Sequence, residues 1–125
     1  MELDIRIPGG DRVVVAGAGQ EIVTDQDGTA PDPFTLFLAS IGACAGYYVA
    51  RFCRQRGIPT QGIGLKERIV KDGSGHVTDV ELELSLPDGF PDRYRDAVLR
   101  AADTCKVKRH LEAPPRVNLH LLTPV

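Results

Sequence analysis

The chain has 125 residues, a formal net charge of −2 and 26% charged residues. That length predicts one domain with a real core, and the absence of a basic surplus argues against nucleic-acid binding. Three cysteines, odd in number and far apart, follow a charged opening, MELDIRIPGG. That pattern argues against a secretion signal or a disulfide framework and for a reducing, cytoplasmic setting.

Residues 2–7 alternate, with Leu3, Ile5 and Ile7 on one face and charged residues on the other. This predicts a half-buried strand. Pro8 to Asp11 reads as a turn, 12–16 as a second strand, Gly17 to Gln20 as another turn, and 21–24 as a short third strand. The loop DQDGTAPD leads to Pro33, with Asp32 placed to cap a helix.

A helix is predicted from Pro33 to Gly57, roughly 35 Å long at ~1.5 Å per residue. No charge interrupts it from Phe34 through Ala50. An apolar run of that length sits at the lower edge of what spans a membrane. Its hydroxyls and glycines, with Arg51 and Arg54 in its last turns, favour a core helix buried on most sides, not a membrane span.

Residues 63–71 alternate, except for Glu67 on the apolar face. After the turn DGSG, Val80, Leu82, Leu84 and Leu86 alternate with polar residues, so the two runs form a hairpin with one wet face. A second helix starts at Pro91 and carries Cys105 on its apolar side. KVKRHL (106–111) either continues it or restarts it, and Pro114-Pro115 stops it. Residues 116–122 alternate as a last strand. The order β-β-β-α-β-β-α-β is an α+β fold with antiparallel pairing. One small sheet cannot cover so apolar a helix, and a homodimer around it is the expected solution.

Cys44 and Cys53 point to opposite faces of the long helix, ~13 Å apart along its axis, and cannot bond within it. Cys44 and Cys105 lie on different helices and are free to meet. Ser40, Tyr47, Tyr48 and Arg51 share the face of Cys44. Arg51 leans back toward the thiol and favours its thiolate. Lys106, Lys108, Arg109 and His110 give Cys105 a similar positive field. A buried cysteine is more often a small hydrophobe, and Cys53 fits that reading best. No Cys or His spacing suits a metal, and no glycine-rich loop suits a phosphate.

PDPFTLFLASIGACAGYYVARFCRQRGIP, the hairpin, LPDGFPDRYRDAV and TCKVKRHL together resemble the OsmC/Ohr family, the osmotically inducible and organic hydroperoxide resistance proteins. The resemblance covers almost the whole chain. It implies an intertwined homodimer with the long helices at its centre. It also implies a thiol-dependent reduction of organic hydroperoxides, in which Cys44 is peroxidatic and Cys105 resolving. An external dithiol regenerates the pair, with no metal, flavin or haem. An apolar pocket is expected around Phe34, Phe37, Ser40, Tyr47 and Tyr48, with Arg12 or Arg51 beside the thiolate. Phe34 and Thr35 stand where the hydroperoxide reductases carry a glutamate, and Lys106 stands where many members have proline. A dimeric binder of a small apolar ligand and a redox sensor are the alternative functions.

Overall fold

The structure is a computed structural model that describes residues 1–123. It has strands β1 (Asp4–Gly9), β2 (Arg12–Gly17) and β3 (Gln20–Thr24), then helix α1 (Pro33–Gln55). Strands β4 (Gly64–Lys71) and β5 (Val77–Ser85) follow, then a 3-10 turn at Asp92–Tyr94 and helices α2 (Arg95–Asp103) and α3 (Lys106–Glu112). This is an α+β fold. The chain forms two compact units, 1–40 and 41–125, and α1 runs from one into the other.

In the first unit β1, β2 and β3 form an antiparallel meander, with Ile5 opposite Val15 and Val14 opposite Val23. The β2–β3 turn places Ala18 and Gly19 at positive φ (52° and 75°), the conformation that two-residue hairpin turns require. Val14, Thr24 and Asp25 are buried. The buried Asp25 carboxylate is paired with Arg12 at 3.3 Å and accepts the Gln26 N–H at 2.8 Å. Asp32 caps α1 by accepting the Thr35 N–H at 2.7 Å. Its carboxyl is held below the ordinary range by hydrogen bonds from Thr35.

In the second unit the β4–β5 hairpin pairs Leu65 with Leu84, Glu67 with Leu82 and Ile69 with Val80. Gly57 ends α1 at φ 65°, while the Ile58 N–H donates to the Cys53 carbonyl at 2.9 Å. This glycine-closed arrangement satisfies carbonyls the helix end would leave bare. The core joins Val49, Phe52 and Cys53 of α1 to Phe90 and Val98, with Leu65, Leu84 and Tyr94 packed around them. Gly42 and Gly46 let the hairpin approach α1. A Cβ on Gly42 would meet the Glu67 carboxylate, and one on Gly46 would touch Leu65.

Three expectations are corrected. Residues 113–123 hold no strand, and Val117, Leu119 and Leu121 are 94%, 98% and 97% exposed. The alternation at 116–122 is real, but a strand needs a neighbour to bond, and the segment pairs with no strand among the described residues. Leu3, Ile5 and Ile7 of the first strand are likewise exposed, not half-buried. Helix α1 is less covered than expected: its buried residues are Ile41, Ala45, Val49, Phe52 and Cys53, and 28% of its most apolar window is buried. By length and composition alone α1 could cross a membrane. Its last third carries the hairpin core of the same chain. The KVKRHL run restarts as a separate helix, since Thr104 and Cys105 leave the helical path.

Candidate functional site

The restart at Lys106 makes Cys105 the N-cap of α3. Its sulfur accepts the Lys108 N–H at 3.4 Å. Cys105 is buried, and its thiol and that of Cys44 act on each other's ionisation. Cys44 is half-buried on α1, where the Val107 and Lys106 amides favour its thiolate. The two cysteines thus meet where α1 passes the first turn of α3. All three cysteines are free thiols.

The electrostatics divide the pair. Burial pushes the Cys44 thiol up, but the Cys105 thiol, the Val107 and Lys106 amides and the Arg109 charge together bring it below its ordinary value. Burial and the bond to Cys44 raise Cys105, and the Lys108 amide offsets only part of that. Each hydrogen bond to the charged form stabilises the thiolate, and each desolvated face opposes it. Cys44 is therefore the better nucleophile and Cys105 the proton-bearing neighbour. Cys53 is fully buried and its thiol is raised by burial, against a weaker pull from Arg56.

A cavity of about 620 Å³ opens beside the pair. Cys105 and Lys108 line it, together with Ile41 and Ala45 of α1 and Leu82 and Leu84 of the hairpin. Cys44 is not in its wall. None of the sequence-predicted pocket residues lines it either. Phe34 and Phe37 stack on each other at 5.8 Å and are 51% and 41% exposed. Ser40 donates to the Phe37 carbonyl at 2.6 Å. Tyr47 and Tyr48 meet edge to face at 5.3 Å, with Tyr47 exposed.

Arg12 is engaged by Asp25 and by the Thr29 hydroxyl at 3.4 Å. Arg51 is exposed and makes no ion pair among the described residues. The cation whose field reaches Cys44 is Arg109, which the sequence assigned to Cys105's surroundings. The sequence signal for it was the alternative that KVKRHL restarts as its own helix after Cys105. The hairpin leucines of the cavity were legible only as core. Glu67 is the other surprise: its Oε2 is buried without a partner among the described residues, on the apolar face of β4. No His, Cys, Asp and Glu cluster among the described residues could hold a metal.

Solved structures share this fold. A putative osmotic stress induced and detoxification response protein from Psychrobacter arcticus 273-4 aligns with TM-score 0.72 at 20% identity, over 86% of this chain and 85% of that one. A hypothetical protein from Aquifex aeolicus VF5 aligns with TM-score 0.65 at 15% identity, over 90% and 87%. No curated protein matches the sequence significantly. Residues 26–120, which include α1, the hairpin, both cysteines and the exposed tail, match the family described as OsmC-like protein, and the chain belongs to that family.

Proposed function

We infer that this protein is a thiol-dependent peroxidase of the OsmC-like kind, acting in osmotic or peroxide stress. The observation that carries the reading is the pairing of Cys44 with Cys105, the N-cap of α3 and part of the cavity wall, with Cys44 lowered and Cys105 raised. The Cys44 thiolate attacks the outer oxygen of an organic hydroperoxide. The O–O bond breaks, the alkoxide takes a proton and leaves as alcohol, and Cys44 becomes a sulfenic acid. The Cys105 sulfur then displaces hydroxide from it, giving a disulfide and, with one proton, water. An external dithiol reduces the disulfide and is itself oxidised. This chemistry needs no metal or organic cofactor. The apolar cavity beside Cys105 suits an alkyl chain.

The same reading includes a cytoplasmic homodimer. The exposed apolar faces of 116–122 and of β1 support it, because exposed alternating segments of this kind seek cover. The test is peroxide consumption with a dithiol reductant. Cys44→Ser should abolish turnover, and Cys105→Ser should stop at a sulfenic acid on Cys44 after one equivalent. Turnover undiminished in Cys44→Ser rejects the reading. A second reading, an apolar-ligand binder without turnover, is favoured by the cavity itself. It predicts thermal stabilisation by a long-chain alcohol and no peroxide loss.

A further inference from the structure

We propose that the ion pair between Asp103 and Lys108 is a clasp that positions Cys105 for attack on Cys44, holding the α2–α3 turn while the sulfur leaves its cap bond. The proposal rests on the pairing of the two cysteines in the peroxidase reading, and it names two positioning residues for the second step. Neither proline nor glycine stands between Asp92 and Ala113, yet the helical path breaks at Thr104 and Cys105. Short-range bonds close the break. The Thr104 hydroxyl and N–H donate to the Ala101 carbonyl at 2.7 and 3.2 Å, and the Cys105 sulfur accepts the Lys108 N–H at 3.4 Å. Sulfur is a weak acceptor, so this cap is a weak one. Lys108 is tied to the break a second time, through its ammonium on Asp103. Asp103, Cys105 and Lys108 all line the cavity.

An exposed ion pair is ordinarily worth little. Here both charges stand where the helices alone would disfavour them. Asp103 is the last residue of α2, at the negative end of its dipole, and Lys108 is in the first turn of α3, at the positive end. Helix electrostatics therefore account for neither residue, and each is compensated by the other across the turn. The sulfur of Cys105 also has two competing roles. As a cap it faces the Lys108 amide, and as the attacking thiol it must turn to the sulfur of Cys44. Once it turns, the first turn of α3 loses its side-chain cap. The Asp103–Lys108 pair does not involve the sulfur, so it keeps the turn, and the cavity wall that the turn supplies, in place through the step.

The test treats the intact protein with an aromatic disulfide, dithiobis(nitrobenzoate), and no peroxide. The Cys44 thiolate attacks one reagent sulfur, forming a mixed disulfide and releasing one nitrothiobenzoate. Cys105, its proton lost to solvent, then displaces the second nitrothiobenzoate from Cys44, and the Cys44–Cys105 disulfide forms. Absorbance follows both releases, and in wild type the second is a first-order phase. Asp103→Asn and Lys108→Met should each slow that phase about threefold, the scale of one exposed ion pair. Each also removes a charge from a helix end that disfavours it, so the first phase and the melting temperature should stay in place. Asp103→Lys combined with Lys108→Asp re-forms the pair in the opposite sense and should restore the wild-type rate. Raising salt to about 1 M should slow wild type toward the single variants. Equal second phases in wild type and both single variants overturn the proposal, as does a single release in wild type or a charge swap as slow as the single changes. Failure of the peroxidase reading appears separately, as lack of peroxide turnover with both releases and their order of rates intact.

Discussion

Three thiols in one small unit meet three different fates, and the difference is local. Cys53 is sealed in the core with burial opposing its charge, while Cys44 is half-open and fed by two amides and a second thiol. At neutral pH one equivalent of iodoacetamide should therefore label Cys44, and Cys53 should react only after unfolding. The Cys44 rate should climb through a midpoint below the ordinary thiol value of 9.0 and then level off, because its folded form favours the thiolate. A midpoint above that value contradicts the geometry. That Cys44 and Cys105 were free to meet was legible in the sequence from their places on two apolar helix faces, while their proposed roles came from the family resemblance. That the Arg109 charge acts on Cys44 was not legible, because spacing offered Arg51 and the resemblance Arg12, while Arg109 was read as part of the surroundings of Cys105.

At the level of elements, two residues carry consequences beyond their own position. Glu67 interrupts an otherwise apolar face between Leu65 and Ile69, and its buried Oε2 lacks a partner among the described residues. An unsatisfied buried oxygen is a cost the fold retains. Glu67→Leu should raise stability by about 1 kcal/mol in urea unfolding. A gain in stability with a loss of activity would mark Glu67 as functional, whereas a loss of stability would mean that its carboxylate is satisfied after all. Cys105 is both a thiol and a cap. Cys105→Ser should preserve α3, since serine is a strong N-cap, while Cys105→Ala should cost about 1 kcal/mol and speed amide exchange at Lys108. The element order through β5 followed from the alternation and the turn residues. The boundaries shifted by one or two residues where ladders, not side-chain patterns, set the ends.

For the whole molecule, the sequence pattern promised more burial than one chain delivers. Leu119 and Leu121 alternate as a strand should, yet stand almost fully in solvent, and Leu3, Ile5 and Ile7 are exposed as well. Periodicity records which face wants cover but not which chain supplies it. The alternation at 116–122 therefore reads as a strand in the sequence, while the described residues there form none. The proposed homodimer makes a direct forecast. Sedimentation should give twice the chain mass, and Leu119→Asp with Leu121→Asp should shift it toward monomer with a lower melting temperature. An unchanged dimer would remove the tail from the interface. A tail of this sort also ties folding to abundance. When a chain's apolar segments find cover only on its twin, the folded population follows mass action, so dilution itself acts as a denaturant and synthesis rate becomes part of the protein's stability.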